Sequence, residues 1–340
     1  MIQNRGCGIS VPSILRKESN VHKLYNALPV KGVSHMNSRQ TLKLRLKKQM
    51  VWYSFIIVSI LTLILLTYVP MLTTVKYSFS DIQVLGFGED KFVGLQNYQK
   101  IMNNSSFIGS IGNTFMLAFM GLVTIPLGFI IASLINNVGK SKWQSFFRVG
   151  YYFPNIITGV SVVLIFQVVL KSNGGILNDA LSFITGREIN IGWLSDSNFS
   201  KMGATFLGVW GSLGYSMLIN LASLQSISSE IYEAAEVDGA NGFKQWWYIT
   251  IPQMKSCFSF LFITSIINGL ARFTDLFIIS GNTSSGRPGG TLQTILMYIY
   301  QFSFETPQYG IASAGAMILF TLTFAITMIN LKATGFFKKK

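Results

Sequence analysis

Charge is scarce in this sequence: 13 acidic and 27 basic residues among 340, or 12%. Soluble globular domains carry roughly 25% charged residues, while half of this chain is hydrophobic and its mean hydropathy is +0.44. The composition speaks against a soluble domain before any segment is read. Thiols and imidazoles are scarcer still. The two cysteines, Cys7 and Cys257, lie in a basic leader and at the head of an apolar run, and the two histidines are His22 and His35. With no CxxC pair and no Cys/His cluster, there is almost no material for a metal site, thiol catalysis or a disulfide framework. No catalytic group, metal or bound cofactor is expected.

The net charge of +14 would suit nucleic acid, but its distribution does not. Ten basic residues precede position 50 with one acid, Glu18, and four more close the chain at Lys332, Lys338, Lys339 and Lys340. Lysines flanking apolar runs are explained by membrane topology, and no nucleic-acid motif accompanies them. The first 35 residues lack the continuous apolar core of a secretory signal, and Met36, followed by NSRQTLKLRLKKQ, is an equally good start.

Six nearly uncharged runs are each long enough for the roughly 20 helical residues that cross a bilayer. Their centres lie at about 51–73, 114–136, 149–170, 203–224, 257–280 and 309–331. Lipid leaves open backbone groups unsatisfied, and barrel-type alternation is missing, so the runs predict helices. The expected architecture is an all-α polytopic membrane protein. A basic cytoplasmic tail (1–48) precedes a six-helix domain (49–335), and a second basic tail (336–340) follows. With the N-terminus inside, the four cytoplasmic segments hold 10, 3, 2 and 4 basic residues against 3, 3 and 1 in the external loops. Both termini are therefore expected in the cytoplasm.

Against this background, SSEIYEAAEVDGANGFKQWWYITIP between the fourth and fifth runs gathers Glu230, Glu233, Glu236 and Asp238. It reads as a helix, a sharp turn and a second helix. Ser229 is a candidate cap, Gly239 a terminator and Asn241 a second cap. Phe243, Trp246, Trp247 and Ile249 then form an interfacial face ahead of Pro252. An amphipathic helix resting on headgroups and a protein docking surface both fit. The acids suit the second better.

The string Glu233-Ala234-Ala235-x-x-Asp238-Gly239-Ala240, followed by Ile249-x-x-Pro252, resembles the EAA loop of permeases from binding-protein-dependent ABC importers. Other stretches resemble the carbohydrate-type members, in that family's order. They are Pro70 with SerPhe at 78–79, FVGLQNY at 92–98, and Phe147, Arg148, Phe153 and Pro154. Then come GILN at 175–178, LASLQ at 221–225, and YIYQFSF…YGIASA from Tyr298 to Ala314. The resemblance spans roughly residues 50–335. It implies the type I importer permease fold, a place in a bacterial inner membrane, and transport of a sugar or oligosaccharide. It also implies partners: a second homologous permease, two ATPase subunits that use ATP and magnesium, with the EAA segment docking in a groove of one, and an extracytoplasmic solute-binding protein. The chain itself is then not an enzyme. Its GKS at 139–141 lacks the upstream glycine of a phosphate-binding loop, because Leu134 stands there.

Ionisable residues inside a span are costly and face a pathway or a partner charge. Ser265, Asn268, Arg272 and Asp275 recur at spacings of three, four and three, which predicts one helix face. A substrate pathway and a self-contained Arg272–Asp275 pair both account for the two charges. By the resemblance, Tyr215, five residues after Trp210, faces the sugar, although simple helix packing also explains it. The stretch SGNTSSGRPGGT (280–291) departs from the family pattern and keeps only GRP and a later GG. Gly310, Ala312, Ala314 and Ala316 provide a small face for close helix packing. Two other readings remain: the same machine with another cargo, such as a glycerol phosphate met by Arg272, and an ion-coupled secondary transporter. The second lacks the inverted repeats that such carriers show.

Overall fold

The computed structural model describes residues 52–82, 90–139, 141–157 and 159–334. The segment 1–48 with Cys7, His22, His35 and Met36, the segment 336–340, and Lys140 lie outside the described residues. The chain divides into two compact units, Met1–Val69 and Pro70–Lys340. The described part of the first is the opening of helix α1 (Trp52–Ser78), with a π-turn at Ile64–Tyr68 and exposed apolar side chains throughout. Such a surface suits hydrocarbon rather than water. All packing described below lies within the second unit.

Among the described residues of that unit, the regular structure is helical apart from a two-residue antiparallel pairing, β1 (Ser80–Asp81) with β2 (Lys91–Phe92). Helix α2 (Gln96–Met102) follows, then α3 (Ser105–Gly121), α4 (Thr124–Asn137), α5 (Lys142–Ile156), α6 (Gly159–Val169) and α7 (Ile176–Thr185). After them come α8 (Ser200–Leu224), α9 (Ser229–Val237), α10 (Lys255–Leu270), α11 (Thr274–Ile279), α12 (Ile295–Tyr300) and α13 (Tyr309–Ala333). Among the described residues, five helical runs are long and apolar enough to cross a bilayer, or six if the bent pair α5–α6 is counted as one span. The all-α polytopic fold holds.

Two runs differ from their expected outlines. The second extends back to Ser105, because Asn104 caps it by accepting from the amides of Ser106 (2.9 Å) and Phe107 (3.3 Å). Its first turns carry the polar Ser106, Asn113 and Thr114, which bond Gln293, Gly290 and Ile295 outside the helix, and Ser110, which bonds its own helix at Phe107, so hydropathy alone starts the run too late. The third is bent by 96° between α5 and α6. Pro154 inside α5 removes a helix donor just ahead of the bend, a corner that charge counting does not see.

Small residues hold the helices together. A Cβ on Gly128 of α4 would lie 2.5 Å from Ser216 Oγ of α8, and one on Gly269 of α10 would lie 2.9 Å from Ala118 Cα of α3. Gly214 of α8 leaves the same kind of room for the Tyr151 carbonyl of α5. Around the α4–α8 crossing, Phe129, Ala132 and Ile135 pack on Met217, Leu221 and Leu224, with Met254, Cys257 and Leu261 closing the cluster. On α13, Gly310, Ala312 and Ala314 are buried. A Cβ at Gly310 would strike the Ser80 carbonyl and the Asn97 amide. That amide donates to the carbonyls of Ser78 (3.1 Å) and Ser80 (2.9 Å), pinning the end of α1 to α2.

Candidate functional site

Two features merit attention, one at a loop between helices and one inside the bundle. The loop feature is α9. Its cap is Ser228, whose Oγ accepts from Glu230 N, and not Ser229, which sits one residue inside the helix. Ser228 has the extended backbone that a cap requires. The helix ends at Gly239, whose φ of +77° only glycine adopts without strain. There the Ala240 amide reaches back to the Ala235 carbonyl (2.9 Å) and the Gly239 amide to Glu236 (3.0 Å). These are the two bonds of a Schellman motif, so the D-G-A string has a local reason. Asn241 caps the next segment by accepting from Lys244 N at 2.9 Å.

Segment 242–253 is helical with a π-turn at Trp246–Thr250, in which the Ile251 amide bonds to the Trp246 carbonyl. Pro252 follows, and it has no amide to offer the regular ladder. The wide turn takes up that mismatch. Ile249 is half-buried and Pro252 exposed. Trp246 turns inward: its ring stacks on Phe129 of α4 and its Nε1 donates to Ser133 Oγ at 3.3 Å. Tyr232 of α9 shares a 2.9 Å hydroxyl bond with Thr250. A cavity of about 620 Å³ opens between this segment and α4, lined by Ser133, Asn137, Tyr232, Phe243, Trp246 and Thr250 among others. On its other side α9 buries nothing. Glu233, Ala234, Glu236, Val237, Asp238 and Gly239 are all exposed, while Ala235 and Ala240 are half-buried.

The second feature is a cavity of about 170 Å³ between α3, α8 and α10. It brings together Tyr215, Ser265, Asn268 and Arg272, and excludes Asp275 from its lining. The expected single face of four residues is corrected here. The helix ends at Leu270 and restarts at Thr274, so Arg272 stands in a break and Asp275 belongs to α11. Across that break Arg272 Nε donates to Asp275 Oδ2 at 2.7 Å, and Nη2 lies 2.5 Å from the same oxygen. Nη2 also donates to the Ala204 carbonyl of α8. The remaining lining is hydroxyl-rich, with Thr124, Thr205, Ser212, Ser216 and Thr264. Sequence reading missed these residues, although Thr205, Gly208, Ser212 and Ser216 recur at helical spacing along α8. Trp210 points the other way, packing on Phe166 with centroids 5.1 Å apart.

The divergent loop at 280–291 is anchored from α3. Asn113 Nδ2 donates to the carbonyls of Gly290 (2.8 Å) and Gln293 (3.0 Å), and Ser284 bonds Glu305 through both its amide and its hydroxyl. At GKS, Ser141 caps α5 by accepting from Gln144 N, a helix start and not a phosphate cradle.

Residues 124–332 match the family of binding-protein-dependent transport system inner membrane components. The chain belongs to that family. The multiple sugar-binding transport system permease protein MsmF of Streptococcus mutans is 31% identical to this permease, over 88% of this chain and 99% of its own length. The arabinooligosaccharides transport system permease protein AraP of Halalkalibacterium halodurans is 30% identical over 86% of this chain and 90% of its own length. A chain from the crystal structure of a bacterial ABC transporter involved in alginate import matches with a TM-score of 0.72 at 20% identity. It covers 88% of this permease and is itself covered completely. The fold is therefore the importer permease fold, and the permease is an inner-membrane component of a transport system.

Proposed function

We propose that this permease forms half of the translocation path of an ABC importer for a sugar or oligosaccharide. In this reading ATP hydrolysis, with its magnesium, belongs to two separate ATPase subunits, one of them docked on α9. The observation that carries the reading is that α9 is nine residues long and buries none of them. So short a helix gains little from its own propensity. Its exposed face mixes Glu233, Glu236 and Asp238 with Ile231 and Val237, which suits a protein groove better than water or lipid.

In this assignment Glu233, Ala234, Ala235, Asp238, Gly239 and Ala240 form the docking helix and its turn, and Ile249 and Pro252 shape the return into the bundle. Tyr215, Ser265 and Asn268 meet the solute, with Arg272 and Asp275 at the cavity end. Support for a sugar comes from relatives named for multiple sugars and arabinooligosaccharides. A lining of hydroxyls, an amide and a tyrosine ring also matches a sugar's hydroxyls and its apolar face. A second, homologous permease completes the path, a solute-binding protein delivers cargo from outside, and both termini lie in the cytoplasm with α9.

The test is affinity purification of the chain from its native membrane in mild detergent, with mass spectrometry of what accompanies it. A second permease and a pair of ATPase subunits are expected. A chain that reproducibly emerges alone, under conditions that keep other membrane complexes whole, overturns the reading.

A further inference from the structure

Among the described residues, Arg272 is the one charged residue lining the cavity between α3, α8 and α10, and its charge is paired. Nε and Nη2 both close on Asp275 Oδ2, and Nη2 also meets the Ala204 carbonyl. Gly208 makes the space for this: a Cβ there would sit 3.0 Å from Cζ and from both terminal nitrogens. The two side chains are 13% and 19% exposed. An ion pair with charge-assisted bonds in so dry a place is held far more firmly than one in water. A bare guanidinium in the same position would be a fork for carboxylate or phosphate.

We propose that Asp275 is a specificity-determining residue. By holding Arg272 it keeps the cavity electrically neutral, so the permease passes uncharged solutes and turns away anionic ones. The helix break at 271–273 lets Arg272 lean across to α8 and α11 together, and the other lining groups (Thr205, Ser212, Tyr215, Ser265 and Asn268) offer only neutral donors and acceptors. The proposal rests on the reading of this cavity as the translocation path, and it separates neutral sugars from acidic or phosphorylated ones.

The experiment introduces Asn268→Cys into the full chain. It compares an anionic sulfonate thiol reagent with a cationic trimethylammonium one, counting only reaction above that of the parent chain. With the pair intact, the introduced thiol should show no preference for either sign beyond that of a simple thiol in solution. Adding Asp275→Asn should raise the anionic-to-cationic ratio by roughly tenfold or more, since one uncompensated charge then faces a poorly solvated space. Adding Arg272→Gln as well should return it. A strong anionic preference with the pair intact overturns the proposal, as does an unchanged ratio in a folded Asp275→Asn chain. If that variant does not reach the membrane, the intact chain and the double variant carry the test. In the assembled importer, Asp275→Asn should narrow the discrimination between a neutral oligosaccharide and its uronic-acid counterpart. Reagent ratios that behave as expected, with uptake unmoved, would place the solute elsewhere and overturn the cavity reading, not the electrostatic one.

Discussion

Trp246 lies flat on Phe129, with ring centroids 5.3 Å apart and planes 21° from parallel. Phe129 in turn meets Phe258 edge-on at 5.1 Å. The loop that carries α9 is thus joined through three rings to α4 and α10, the second of which lines the inner cavity. A displacement of the loop has a packed route into the bundle. Trp246→Ala removes the stack and the bond to Ser133, together worth about 2 kcal/mol. ATPase subunits should still co-purify, because α9 is untouched, while uptake falls at least tenfold by that arithmetic. Trp246→Phe, which keeps the ring, should retain most of it. Radiolabelled uptake set against pull-down yield checks both.

Docking itself is expected to depend on the charge and turn of α9. Glu233→Lys reverses an exposed charge without touching the bundle. Gly239→Pro forces φ from +77° to about −65° and abolishes the helix stop. Both variants should insert at normal levels and lose the ATPase subunits on purification. Undiminished uptake by either one would remove α9 from the coupling path.

Helix crossings give a stability test with an internal control. Gly128→Ala places a methyl 2.5 Å from Ser216 Oγ and 3.0 Å from the Met217 backbone nitrogen. Overpacking of this kind costs about 1–3 kcal/mol. Gly112→Ala in α3 meets nothing within 4 Å and should be neutral or gain up to about 1 kcal/mol from helix propensity. The melting temperature of the detergent-purified chain should fall for Gly128→Ala and hold or rise for Gly112→Ala.

Asn178 is the asparagine of GILN. Its Nδ2 donates to the carbonyls of Lys171 (3.2 Å), Ser172 (2.9 Å) and Ile191 (2.9 Å), and its Oδ1 accepts from Trp193 Nε1 at 2.8 Å. The residue is 1% exposed. Asn178→Ala strands these groups and should destabilise the segment from α6 to α8 by about 1–3 kcal/mol. Faster hydrogen exchange over 171–193, with α4 and α10 unaffected, is the expected signature. Uniform exchange across the chain would contradict the local role.

The sequence by itself determined the class of this protein. Bilayer thickness makes spans visible as uncharged runs, and the string Glu233 to Pro252 follows local rules that need no neighbours. Gly239 ends a helix wherever a positive φ is required, Asn241 caps, and a proline disturbs the ladder four residues before it. The cap at Ser228 and not Ser229 is the kind of one-residue difference that backbone geometry decides and composition does not.

Tertiary structure alone decided what the polar residues of the bundle do. Ser265, Asn268, Arg272 and Asp275 obey helical spacing perfectly, yet the helix breaks between the second and the fourth. Spacing carries no record of a break at which Arg272 meets the Ala204 carbonyl and the gap beside Gly208, both more than sixty residues away in sequence. The hydroxyls of Thr205, Ser212 and Ser216 were hidden for the same reason. A hydroxyl in a span satisfies its own helix backbone as readily as it lines a cavity, as Thr205 and Ser212 do by bonding Lys201 and Gly208. Only the packing of α3 and α10 against α8 shows which space those side chains also border.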